Sequence, residues 1–268
     1  MRLIFIFDGP PNPLKRKTLE ARRMVRQKAE SEYSQAVSVG DYSKAWSKAV
    51  MTGRVTRDIL EDSKRLLSLM GVEWLDAPED AEAQASHMAR KGNVWAVGSK
   101  DYDCLLYGAP ILARYLSIAG LEFLPAQRRS RRLVPELIEL SENLQRLGID
   151  REQLVDLAIL VGTDFNEGVR GIGPKKSLAL IRKCGSLEEL PDATRNQLPQ
   201  KIDEIRNVFL RPKVLETITP HSSKPDAQGL VQFLVSERAF SSERVSTIAE
   251  KLARSYEHRE PGLTKWLS

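Results

Sequence analysis

The chain has 268 residues, 41% of them hydrophobic and 29% charged, enough apolar content to bury a sizeable core in one large domain or in one domain with a smaller lobe. Lysine and arginine total 41 against 36 aspartates and glutamates, a formal +5 that suits a polyanionic partner or a solvated basic surface. Two cysteines and three scattered histidines fit neither a zinc spacing nor a disulfide framework, and no apolar stretch reaches membrane-spanning length. An intracellular, cytoplasmic chain with no membrane partner is the expectation.

In chain order, the β-branched and aromatic run RLIFIFDG at 2–9 predicts a strand that feeds a loop at Asp8–Gly9. Residues 11–28 then hold seven basic residues and one acid, a local +6. From Thr18 to Leu69 the pattern is helical, with breaks at Gly40–Asp41 and near Gly53. The first of these helices, to about Ser38, has many charges and few large apolar residues, so it reads as an exposed arm or lid rather than a core helix. The helix DILEDSKRLLSLM carries Ile59, Leu60, Leu66, Leu67 and Met70 on one side and ends at Gly71, as a helix packed on a sheet would. VEWLDAP, helix AEAQASHMARKG, strand NVWAVGS, segment KDYDCLLYGAP and strand ILARYLS follow. Strands alternating with helices predict an α/β fold with a mostly parallel central sheet. After RRSRR at 128–132 the strand signals nearly vanish, and the chain reads as helical to about Tyr256 before a Pro/Gly-containing tail.

Acidic residues recur where strands end and loops begin, the position at which reactive groups gather in an open α/β sheet. Asp8 ends the first strand, Asp80 and Glu82 open a helix after WLDAP, Asp101 and Asp103 follow VWAVGS, and Asp164 follows LAILVGT. Each has an ordinary reading alone: Asp8 before Gly9 forms a turn, Asp80 and Glu82 favour a helix N-terminus, and the Asp101/Asp103 pair is solvated surface. Leu105 stands at the fifth ligand position of any EF-hand loop there, which excludes that motif. Together the six offer oxygen ligands to hard divalent ions such as Mg2+, and a pair of ions about 4 Å apart can clamp the attacking and leaving oxygens of a phosphodiester. Cys104 reads as a small core residue.

GVRGIGPKKS nearly matches a phosphate-binding P-loop, but Pro174 stands where the lysine must follow Gly173, so that reading fails. What remains is a glycine turn leading into a helix with Pro174 at its first position, whose amides and Lys175 and Lys176 suit a phosphate. Such a turn reads nucleic-acid backbone rather than sequence, and the alternative is a helix–helix turn with solvent-facing lysines. Lys15 and Arg22, seven residues apart, share one face if a helix begins by Lys15, where they are either fixed cations for a phosphoryl group or a solvated basic face.

FIFDGPPNPLK, LLSLMGVEWLDAPEDAEAQA, GSKDYDCLLYGAP and LVGTDFNEGVRGIGPKKSLALI occur in one order over nearly the whole chain. In these blocks the chain resembles the flap endonucleases of the structure-specific 5′ nuclease (XPG-like) family, the archaeal members most. The resemblance implies a PIN-like 5′ nuclease fold with a nuclease α/β domain at 1–145. A helical region at 146–255 would bind duplex DNA and a tail at 256–268 would follow it. Asp8, Asp80, Glu82, Asp101, Asp103 and Asp164 would be ligands to two Mg2+ or Mn2+ ions, Lys15 and Arg22 would lie over the scissile phosphate, and the helices at about 18–53 would form an arch passing a 5′ single strand. Arg170, Gly171, Gly173, Lys175 and Lys176 would grip the duplex with a K+ ion at the loop carbonyls.

The implied activity is cleavage of 5′ flaps, with 5′ exonuclease activity, by a monomer associated with the nucleoid. In EPGLTKWLS, Leu263, Trp266 and Leu267 resemble the family's anchor to a sliding clamp (PCNA), with Glu260 in place of the usual glutamine. Two features depart from the pattern. The family begins with a further strand carrying another aspartate, so Leu3 and Phe5 are expected to present apolar surface, and Asp80 stands where the family usually has glutamate. These departures leave a catalytically silent DNA- or clamp-binding remnant as the alternative, with a metal-dependent ribonuclease of similar sheet architecture as a weaker one.

Overall fold

The structure, a computed structural model, describes residues 2–53, 55–116, 120–124 and 129–257. They fall into two compact units, one built from residues within 1–7, 29–76 and 217–268 and the other from 8–28 and 77–216.

In the first unit β1 (Ile4–Phe7) runs parallel to β2 (Glu73–Asp76), with Ile4 opposite Glu73 and Phe7 opposite Asp76. Trp74 extends this ladder by exchanging backbone hydrogen bonds with His221 and stacking its ring on that imidazole at 4.1 Å. Phe7 meets Trp74 edge-on, and Lys64 lies over both rings. Leu3 and Phe5 are exposed, as expected. The helix α1 (Arg16–Ser38), which belongs to this unit only from Ala29 on, spans 23 residues, about 34 Å, and buries only Ala29 and Ala36. That follows from a stripe of small residues too thin to pack broadly on a core. The turn at Gly40 and the cap Asp41, which accepts Lys44 N–H, open α2 (Tyr42–Thr52). Thr56 caps α3 (Arg57–Leu69), which packs on β2 and on the short α11 (Ala227–Val231). The expected apolar side of α3 holds only in part: Ile59 and Leu60, in its first turn, are exposed, and the packing is carried further along by Leu66, Leu67 and Met70. A π-helical turn, Gln232–Glu237, leads toward α12 (Ser242–Glu257).

The second unit contains α4 (Ala81–Arg90), β3 (Val97–Gly98), α5 (Asp103–Leu106) and β4 (Ile111–Arg114), with β3 and β4 parallel. β5 (Gly120–Leu124) and β6 (Arg129–Leu133) form an antiparallel hairpin, and β7 (Glu136–Glu139) pairs antiparallel with β4. One sequence expectation is corrected here: among the described residues strand pairing continues past residue 132, where β7 joins β4. The parallel ladders expected of the α/β fold are present in β1 with β2 and β3 with β4, and antiparallel pairs occur as well. RSRRL has no β-forming side-chain signature, so cross-strand pairing rather than propensity makes it a strand.

Beyond β7 the unit is helical: α6 (Leu140–Leu147), α7 (Arg151–Val161), α8 (Pro174–Cys184), α9 (Asp192–Arg195) and α10 (Ile202–Leu210). Asp150 and Gln153 form a reciprocal capping box at the start of α7, so that helix begins where its donors are satisfied. The main core joins Leu106 and Tyr107 to Val155, Ile159 and Leu160 of α7, Ile181 of α8, and Ile205 and Phe209 of α10. A smaller cluster holds Val97, Cys104, Ala109 and Leu112. Cys104 is a fully buried core residue, and burial raises its thiol pKa.

Candidate active site

The side chains nominated from sequence as metal ligands and fixed cations lie in the second unit. Asn12 opens a 3-10 turn, Pro13–Lys15, by accepting Leu14 N–H, and donates to Glu79 at 3.1 Å. Lys15 ends that turn one residue before α1, so the helical face is continuous through it. Lys15 Nζ lies 2.5 Å from Asp80 Oδ1, and Arg22 Nη2 lies 2.6 Å from Asp164 Oδ1. Between them Thr18 donates to the Asp164 carbonyl at 2.7 Å. One helix face therefore touches two acids that are 84 residues apart in the chain.

Asp80 is the N-cap of α4, yet its carboxylate makes no cap bond. Oδ1 takes Lys15, and Oδ2 accepts the Tyr107 hydroxyl at 2.8 Å. The Ala81 N–H at the start of α4 instead donates to Asp8 Oδ1 at 2.8 Å, which brings Asp8 beside Asp80. Gly9 allows this approach: its N–H donates to Glu79 O at 2.7 Å, and a Cβ there would sit 2.3 Å from Ala77 O. One turn into α4, Glu82 Oε1 accepts from Ser99 Oγ at 2.5 Å, while Ser99 Oγ accepts the Asp101 N–H at 3.1 Å. A single hydroxyl thus ties a helix acid to the loop acid.

Burial, with Asp101, Asp103 and Asp80 nearby, pushes Glu82 up to about 7 against the pull of Ser99. Asp103 is raised as well, first by burial and then by Asp164, Asp101 and Asp80, with Lys15 opposing. Five of the six nominated carboxylates therefore interact electrostatically, and Asp8 joins them through the α4 N-terminus. They do not converge tightly: among the described residues no three His, Cys, Asp or Glu side chains form a ready metal cage. Their oxygens are directed instead at Lys15, Arg22, Ser99, Tyr107 and the Ala81 amide.

Asp164 sits at the tip of a two-residue hairpin between β8 (Gly162–Thr163) and β9 (Asn166–Glu167). Thr163 Oγ1 accepts Phe165 N–H, and Asn166 Nδ2 donates back to the Ile159 carbonyl. Phe165, buried beneath the tip, packs edge-on against Phe209, and the Lys15 ammonium lies 5.2 Å from its ring centre. The crossing where the chain leaves the hairpin requires glycine, since a Cβ on Gly168 would lie 2.0 Å from Val161 O. Past it, Gly171 adopts φ +79° and Gly173 caps α8 ahead of Pro174. A Cβ on Gly171 or Gly173 would meet nothing within 4 Å, so this face of the loop is open. Arg170, Lys175 and Lys176 are exposed, and Lys176 Nζ donates to Gly171 O at 3.0 Å. Ser177 anchors α8 to α7 through the Leu157 carbonyl.

Sequence reasoning missed Thr18, Ser99 and Tyr107, whose hydroxyls hold the backbone or side chains of nominated acids; each lies within five residues of a nominated group. It also missed Arg114, 8% exposed, which donates to Lys100 O and is flanked by the rings of Tyr102 and Tyr115, bracing the segment between Asp101 and Asp103. Leu263, Trp266 and Leu267 lie outside the described residues.

The flap endonuclease 1 of Methanopyrus kandleri is 43% identical over 266 residues, covering 97% of this chain and 76% of that relative. The chain belongs to the flap endonuclease family. The XPG I-region family model matches residues 71–164, the stretch that carries five of the six carboxylates. Its structural kinship to the family is equally direct: flap endonuclease-1 from Methanococcus jannaschii superposes with a TM-score of 0.70 at 38% identity, covering 96% of this chain and 76% of that one. The fold is shared more widely, with the catalytic core of Rad2, solved in complex with a DNA substrate, at a TM-score of 0.69 and 22% identity. The α/β 5′ nuclease fold expected from the resemblance is the one observed. No helix among the described residues is long and apolar enough to cross a membrane.

Proposed function

We propose that this flap endonuclease family member is a divalent-metal-dependent nuclease that hydrolyses DNA phosphodiesters at 5′ flaps and, acting from 5′ ends, as an exonuclease. The observation that carries the reading is the Lys15–Arg22 face, which meets Asp80 and Asp164 inside a group of mutually repelling acids. Asp8, Asp80, Glu82, Asp101, Asp103 and Asp164 supply only hard oxygens, and Glu82 and Asp103, raised first by burial and then by the neighbouring acids, stand where a divalent cation would offset negative charge, so the donor set fits Mg2+ or Mn2+. Two such ions, when bound, supply an activated water and offset charge on the attacking and leaving oxygens. Lys15 and Arg22 place fixed positive charge beside those acids, where it opposes the charge that grows on the phosphoryl oxygens in the transition state. Asp80 and Asp164 hold both cations in place, and Thr18 fixes the helix to the Asp164 turn.

The same reading assigns duplex backbone binding to Arg170, Gly171, Gly173, Lys175 and Lys176, because the open glycine face admits a phosphate beside exposed cations. A K+ ion at this loop would share the Gly171 carbonyl with Lys176. Passage of a 5′ single strand by the helices at 18–53, binding of duplex DNA by residues 146–255, and clamp binding through Leu263, Trp266 and Leu267 complete the proposal, with DNA carrying a 5′ flap as substrate.

Labelled double-flap DNA incubated with the chain in Mg2+ tests it, beside Asp101→Ala and an EDTA control. Cuts at the flap junction that vanish in both controls are expected. Arg170→Ala with Lys175→Ala should weaken DNA binding and lower the slope of affinity against salt by about one per cation removed. Metal-independent cutting, or intact flap in every arm while DNA is still bound, would overturn the nuclease reading in favour of a silent DNA-binding protein.

A further inference from the structure

Asp80 is the only nominated acid whose two oxygens each meet a different side chain within 2.8 Å, and the two partners differ in kind. Lys15 reaches Oδ1 on a flexible four-carbon stem from the turn before α1. The Tyr107 hydroxyl reaches Oδ2 from a fixed ring that is 2% exposed and packed on Phe209 at 5.2 Å. The Tyr107 backbone is equally constrained, since its N–H donates to Asp103 O at 2.9 Å and its carbonyl accepts from Arg90 at 2.7 Å. One residue therefore joins Asp80, through a side chain, to Asp103, through the backbone. Asp80, although at the N-cap position, makes no side-chain bond to its own helix amides, so its rotamer is set by these outside partners.

We propose that Tyr107 is a positioning residue for Asp80, holding Oδ2 so that Oδ1 alone is turned toward Lys15 and the reacting groups. The inference rests on reading Asp80 as a metal ligand. The hydroxyl takes up one oxygen of a side chain that is one methylene shorter than glutamate, and so fixes a carboxylate that would otherwise rotate between its two faces. Partners of this kind, one bond removed from a ligand, typically change metal affinity 10- to 100-fold when deleted. Tyr107→Phe removes the hydroxyl and keeps the buried ring.

The test is Mn2+ binding, read from the free-ion EPR signal, on wild type, Tyr107→Phe, Asp80→Asn and the double variant, with thermal melts and flap cleavage alongside. Tyr107→Phe is expected to weaken Mn2+ binding about tenfold while melting within a few degrees of wild type. In the Asp80→Asn background the same change is expected to shift binding less than twofold, because its route of action is gone. Unchanged Mn2+ affinity in Tyr107→Phe, or an equal loss on both backgrounds, overturns the positioning role while leaving the nuclease reading in place. A wild-type chain that neither binds Mn2+ nor cuts flap DNA removes the metal-site reading, and this role with it.

Discussion

Phe209 supports the candidate site from beneath. It is fully buried, its ring lies 5.2 Å from Tyr107 and 5.3 Å from Phe165, and its backbone carbonyl accepts from Arg151 at 2.8 Å. Those two neighbours lead directly to the acids: the Tyr107 hydroxyl is on Asp80, and Phe165 follows Asp164 at the hairpin tip. Replacing a fully buried phenylalanine by alanine costs about 3–5 kcal/mol, as lost transfer energy plus the cavity left behind. Phe209 belongs at the upper end, because it is fully buried in one core cluster with Ile159 of α7, Ile181 of α8 and Ile205 of its own helix α10, all of them buried as well. At roughly 2–4 °C per kcal/mol for a chain of this size, Phe209→Ala should lower the melting temperature by about 8–20 °C. Phe209→Leu, which keeps most of the volume but loses two aromatic pairs, should cost about 1–2 kcal/mol. Calorimetry gives the melting shift, and flap cleavage well below each variant's melting point gives the effect on the site. Phe209→Ala is then expected to lose cleavage in excess of its unfolded fraction, because Tyr107 and Phe165 lose their common support. A loss of less than about 1.5 kcal/mol for Phe209→Ala, or cleavage that tracks only the folded fraction, would refute this reasoning.

Arg206→Met should destabilise by about 3–5 kcal/mol in denaturant melts, because it strands Asp156, 4% exposed, which now accepts two Arg206 hydrogen bonds at 2.6 and 2.8 Å. The same arginine holds the Glu188 carboxyl down to about 2 from its usual 4.5. A lowered acid stabilises the fold above its unfolded value, so the Glu188 contribution is present above about 4.5 and is lost as pH falls toward 2. An acid titration followed by circular dichroism should show that slope in wild type and a shallower one in Arg206→Gln. Gly168→Ala should give little folded protein or melt many degrees lower, since the added carbon meets Val161 O at 2.0 Å and backbone must move to admit it. A melting point within about 2 °C of wild type would contradict that crossing.

The positions of the residues in the proposed site were legible in the sequence wherever identity alone marks them. The six acids after strand ends and at a helix start, the basic run with Lys15 and Arg22, and the Gly-Ile-Gly-Pro turn all follow from local rules for where loops, caps and charges fall, and so did the lean composition that keeps α1 out of a core. Tertiary structure alone decided what each group faces. Lys15 lies 65 residues from Asp80, and Arg22 142 residues from Asp164; no periodicity reports such a pairing, because it depends on how α1 docks against the hairpin tip. The hydroxyls of Thr18, Ser99 and Tyr107 carry no signal of their own in sequence, since serine, threonine and tyrosine are common and acquire a role only through the partner that folding brings within hydrogen-bond distance. Strands escaped for the same reason: RSRRL and Glu136–Glu139 are strands because β5 and β4 offer them a ladder, and a hydrogen-bond partner distant in sequence outweighs weak local preference.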